Sequence, residues 1–122
     1  MISTNIKSIL NAREAAKKLM GQELPVKSSY RVAKLIKAMN GEIAIYDEER
    51  IRLCEKYGEL DKDKGEYKIS ETTEFHKAMN SLLDIEVNLD VTKVSLPETL
   101  NITPADILNL SDFIEIEGEE DD

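Results

Sequence analysis

One histidine, one cysteine and scattered acid pairs are all that this chain of 122 residues offers for covalent or acid–base chemistry. His76 has no second His or Cys nearby, so a zinc site would need an unusual set of carboxylate ligands. A Ser-His-Asp relay would need distant partners that nothing in the sequence marks. His76 therefore reads as a helix residue beside Phe75. Cys54 lies within an apolar helical run and reads as a small core side chain, not as an activated thiolate. A lone cysteine excludes an intrachain disulfide and suits a reducing compartment. The acid pairs, Asp47-Glu48-Glu49 and Asp61/Asp63, are no better placed. Asp61-Lys62-Asp63-Lys64-Gly65 has the flavour of a calcium loop, but its Gly comes one position early and Thr72 stands where the bidentate Glu belongs. Sugar cleavage between two carboxylates calls for an aromatic-lined cleft, and the chain has no Trp. Five scattered glycines form no phosphate-cradling loop. The expectation is a non-enzymatic protein with no catalytic, cofactor-binding or metal-ligating residue.

Binding residues are easier to nominate. Lys27, Arg31, Lys34 and Lys37 recur every three or four positions, and Arg13, Lys17 and Lys18 precede them. Net charge is −9, yet residues 1–57 hold eleven Lys/Arg against seven Asp/Glu, a net of +4, and the remainder carries −13. An acidic total disfavours general nucleic-acid binding, because phosphate contacts need surplus cations. The basic run is either a solvated face offsetting the acidic half or a docking patch for an acidic protein or a phosphate backbone. Tyr30 is the only aromatic within it, which weakens the nucleic-acid reading.

These residues need an element to hold them. Val32, Ile36, Met39, Ile43, Tyr46, Arg50, Leu53, Tyr57 and Leu60 follow one another at intervals of four and three, and only Arg50 is not apolar or aromatic. That is the stripe of one helix. Leu35, Ala38, Ile45 and Ile51 widen it beyond a coiled-coil seam. The stripe keeps its phase through Asn40-Gly41, so a single helix from about Lys27 to Tyr57 is expected. Such a helix is ~46 Å long, against a diameter of ~35 Å for a compact globule of this size. Either the molecule is elongated or part of the stripe packs against another chain. Lys27, Arg31, Lys34, Lys37, Tyr46, Arg50, Leu53 and Tyr57 are the expected partner-binding residues.

The other elements are shorter. Ser3–Met20 carries a helical face ending at Gly21, with Ser3 or Thr4 as the N-cap and Gly21 as a left-handed C-cap. Gly58–Ile69 is polar and reads as a loop. A helix starts near Ser70 with Phe75, Met79, Leu82 and Leu83 on its apolar face. Ile85, Val87, Leu89 and Val91 alternate with polar residues as in a half-buried strand, and Val94 and Leu96 continue the pattern, as a hairpin would. Thr103-Pro104-Ala105-Asp106 opens a last helix. The expected fold is mainly α within an α+β class: a long central helix, two or three shorter ones, and a small hairpin or strand near residues 85–96. Residues 1–116 form one domain, and 117–122 an acidic tail within a frayed Glu115–Asp122 end. No run approaches a membrane span or a signal peptide, so a soluble, cytosolic protein is expected.

Three stretches carry a resemblance: Glu23-Leu24-Pro25-Val26-Lys27-Ser28-Ser29-Tyr30-Arg31-Val32-Ala33-Lys34, Tyr46-Asp47-Glu48-Glu49-Arg50 with Cys54-Glu55-Lys56-Tyr57-Gly58, and Ile102-Thr103-Pro104-Ala105-Asp106-Ile107-Leu108-Asn109-Leu110. In this order they resemble a family of small proteins of unknown function from tailed phages and prophages of Gram-positive bacteria. That family has no assigned active site, so the resemblance transfers no functional residue. It implies a phage context: a product in the cytoplasm of the host bacterium or associated with the virion, binding a protein partner or itself. Assembly of the virion or tail is the first expectation. A host-directed inhibitor using the acidic half is the alternative, and weak nucleic-acid binding through the basic helix face is the second alternative. No membrane and no small-molecule substrate are expected.

Overall fold

The computed structural model describes residues 1–98 and 100–117. Its elements are β1 (Ile2–Asn5), α1 (Ile6–Met20), α2 (Val26–Tyr57), β2 (Gly58–Asp61), β3 (Glu66–Ile69), α3 (Thr72–Leu83), β4 (Glu86–Leu89), β5 (Val94–Leu96), α4 (Pro104–Leu110) and β6 (Ile114–Ile116). The α+β class is as expected, with the long helix at its centre.

α2 runs for 32 residues without a break, ~48 Å at the usual rise. Gly41 lies within it and its missing side chain faces open space. Uninterrupted i→i+4 apolar spacing on both sides of Gly41 outweighs the ~1 kcal/mol that a helical glycine costs.

Two local expectations at the N-terminus are corrected. The first residues form a strand, so the cap of α1 is Asn5, whose side chain accepts the Ser8 N–H at 2.8 Å. Ser3 and Thr4 instead pair with β4: Ile2 faces Leu89 and Thr4 faces Val87 in an antiparallel ladder. Ile2, Val87 and Leu89 bury one side of this ladder, while the Ser3 hydroxyl donates to Asn88 Oδ1 at 2.9 Å on the other. Gly21 ends α1 in a right-handed conformation, φ −88°, so no left-handed cap forms.

Pairing also differs from a local hairpin at 85–96. β4 joins β1, and β5 joins β6 in parallel, Val94 opposite Ile114 and Leu96 opposite Ile116. Parallel neighbours need a crossover, and α4 supplies it. Its start is as the sequence predicts: Thr103 accepts the Asp106 N–H at 3.2 Å and Pro104 takes the first turn. Glu115 and Ile116 therefore belong to a strand and not to a frayed end. The acidic stretch 118–122 lies outside the described residues.

Gly58–Ile69, expected as a loop, is an antiparallel hairpin with Gly58 opposite Ile69 and Leu60 opposite Tyr67. Asp61 builds its turn: Oδ1 accepts the Asp63 and Lys64 N–H groups, and Gly65 closes it at φ +66°. Gly58 is required at the hairpin's foot, where a Cβ would strike the Lys68 carbonyl and come within 3.0 Å of Ile69 Cα. α3 begins at Thr72, two residues later than expected, with no side-chain cap.

One core gathers Ile6, Ile9, Ala12, Ala15, Ala16 and Leu19 from α1, Val32, Leu35, Met39 and Ile43 from α2, the inward residues of β1, β4, β5 and β6, and Leu110 and Phe113. Small alanines on α1 let it lie close to α2. Beyond Ile43 the core thins: Tyr46 and Leu83 still pack against it, but only half-buried. Cys54 and Leu82 are buried too, but outside that cluster. The last turns of α2, the β2–β3 hairpin and α3 thus form an arm with a much thinner interior.

Candidate functional site

The N-terminal half of α2 presents its buried residues, Ser28, Val32, Leu35 and Met39, to the core. Residues half a turn away must then face outward. Lys27, Arg31 and Lys34 do so, and together with Val26, Tyr30, Val91 and Thr92 they line a groove of about 420 Å³. The far wall comes from the connector between β4 and β5. β5, which follows it, is tied to α2 by a hydrogen bond from the buried Ser28 hydroxyl to the Ser95 carbonyl, 3.0 Å. Arg31 also reaches a second hollow with Met1, Thr92, Lys93 and Glu115.

The groove combines apolar surface with cations. Val26 is 85% exposed and Tyr30 is 65% exposed. Lys34 Nζ stands 5.6 Å from the centre of the Tyr30 ring, within cation–π reach. The ion pairs among the described residues lie elsewhere: Lys17–Glu14, Lys18–Asp106, Arg50–Asp47, Arg52–Glu49 and Lys77–Glu74. Lys27, Arg31, Lys34 and Lys37 have no carboxylate partner among them.

The eight expected partner residues therefore divide. Lys27, Arg31 and Lys34 come together in the groove. Lys37 lies one turn further along the same side of α2, outside the lining. Tyr46, Arg50, Leu53 and Tyr57 are on the reverse side of the helix and half-buried, Tyr46 against the main core, along a helix that also packs against α3 and the hairpin. Their stripe is covered in part by the chain itself, which the sequence argument from helix length did not anticipate. Burial raises the Tyr46 phenol above its ordinary pKa, against the pull of the Arg50 guanidinium and with help from Asp47 and Cys54. Arg50 is already engaged with Asp47 at 3.7 Å. Desolvation, together with the hydrogen bond its hydroxyl donates to Glu55, also raises the Tyr67 phenol.

Val91 and Thr92 went unnominated. They are far from Lys27 in sequence, and only the folded connector brings them to it. Tyr30 and Val26 carried a usable signal, apolar residues at outward helical positions.

Cys54 is buried in the arm and His76 is an exposed residue of α3 with its ring 6.0 Å from Phe75. Neither faces the groove. No helix among the described residues is long and apolar enough to cross a membrane.

No family model matches the chain, and neither curated proteins nor solved structures gave a match.

Proposed function

We propose that this chain is a non-enzymatic protein-interaction module, with phage virion or tail assembly as its setting and a second copy as the first partner of its arm. One observation carries the reading: the arm leaves most of its apolar side chains only partly covered. Cys54 and Leu82 are its buried apolar residues. Leu53, Tyr57, Ile69, Phe75 and Met79 are each only half-buried, and Ile51 and Leu60 are exposed. Apolar surface left open in this way is what association covers. A second copy offers the same surface back, as two-fold assembly requires. The phage setting is supported by the sequence resemblance alone.

Light scattering on the full chain across a concentration series tests this. The mass should rise above that of a 13.8 kDa monomer with increasing concentration. Leu60→Lys together with Ile51→Glu, both at exposed positions, should return it to the monomer. A monomer throughout, or association indifferent to both substitutions, overturns the reading.

A further inference from the structure

We propose that the groove at the start of α2 docks a short acidic segment of another protein, one that carries an apolar or aromatic side chain between its carboxylates. This is a second surface, distinct from the arm, and it stands or falls separately.

Three features of the groove are unfavourable for the chain alone. Lys27, Arg31, Lys34 and Lys37 are spaced by three or four residues, so each repels the next along one helix face. Lys27 lies in the first turn of α2, where the helix dipole disfavours positive charge. The first turn of α2 holds no acidic residue to offset them. Beside them Val26 and Tyr30 leave apolar surface in water. An occupant with carboxylates and an apolar body relieves all of these at once.

The size and surroundings of the patch decide which anion fits. Lys27 to Lys37 spans ~15 Å of helix, the length of four or five extended residues. A duplex would continue past this span. Asp90 in the β4–β5 connector, Glu115 across the second hollow, and Glu42 and Glu48 further along the α2 sequence add negative charge outside it. Those carboxylates oppose a long polyanion more than a short acidic peptide held within the cationic span. Apolar walls formed by Val26, Tyr30 and Val91 also have no use for a sugar–phosphate backbone, whereas they would hold a side chain such as Phe or Leu.

The test is a titration of the isotopically labelled full chain with the capped peptide Asp-Glu-Phe-Glu-Asp, followed by amide chemical shifts. Parallel arms use the same peptide with Ser in place of Phe, and a short DNA duplex. Shifts should saturate at Val26, Tyr30, Arg31, Lys34 and Thr92 and spare α3. Affinity should fall as salt rises, because the charges are exposed. Tyr30→Ala and Lys34→Gln should each weaken the peptide about tenfold while leaving the arm's spectrum unchanged. Four outcomes overturn the proposal. They are no saturable shift in the groove, equal affinity for the Ser peptide, tighter binding of the duplex, and groove shifts produced by concentration of the chain alone. The last would mean that a second copy is the occupant.

Discussion

The two halves of α2 share one helix and one apolar stripe, yet they live in different interiors. Val32, Leu35, Met39 and Ile43 are buried in a core fed by α1 and by strands from both ends of the chain. Past Ile43, Tyr46 still touches the edge of that core, the stripe beyond it runs alongside a hairpin and a single short helix, and Tyr46, Leu53 and Tyr57 stay half-open. The stripe sets where a helix wants to be covered, and the number of surrounding elements sets how well it is. Burial at the core end is deep enough to hold a unique fold. At the arm it is shallow, which leaves apolar surface for a partner and makes the arm the first part to open.

Truncating Phe113, fully buried at the core end, is expected to have the largest effect. Phe113→Ala should cost about 4 kcal/mol and unfold the whole chain earlier in a denaturant titration. Leu82→Ala, at the arm's own buried position, should cost about 2 kcal/mol. Its loss should be read mainly by probes in α3 and the hairpin. Equal, global effects of the two would erase the distinction between the regions.

Gly41→Ala sits at the junction. With open space around the missing Cβ, it should stabilise α2 by about 1 kcal/mol, seen as a raised Tm. A neutral or lower Tm would mean that the junction needs its glycine as a hinge.

The smallest effect concerns pH. The Tyr46 phenol is raised in the folded state, so the fold favours its protonated form. That contribution is complete below the ordinary tyrosine pKa and is lost as pH climbs through the raised one. Unfolding by urea at alkaline pH should therefore become easier, and less so in Tyr46→Phe. An identical alkaline loss in both chains would assign it to other groups, Tyr67 among them.

Much of this architecture was legible from residue spacing. The phase of the stripe across Asn40-Gly41 predicted one helix, Thr103-Pro104 predicted the start of α4, and alternation at Glu86–Leu89 predicted a strand. Partners of strands were not legible, because β1 and β4 lie more than eighty residues apart and nothing local to either names the other. The hairpin at Gly58–Ile69 escaped because its outward residues and turn are so polar that Leu60, Tyr67 and Ile69 give too sparse an alternation. β6 escaped because Glu115 and the acids after it mask a strand of three residues. Of the groove, helical spacing marked Lys27, Arg31 and Lys34, while Val91 and Thr92 reach it only through tertiary structure. Helix length exceeding the globule pointed to an elongated molecule or a partner, without anticipating that α3 and the hairpin would pack along the same helix.

Native-state hydrogen exchange, followed residue by residue at rising sub-denaturing urea and at a concentration where the chain is monomeric, reads the contrast between the two ends of α2 directly. Amides of Leu35, Met39 and the β1–β4 ladder should exchange only through global unfolding. Those of Leu53–Tyr57, the hairpin and α3 should exchange through a smaller opening at distinctly lower free energy. One common opening free energy along the entire length of α2 would contradict the account.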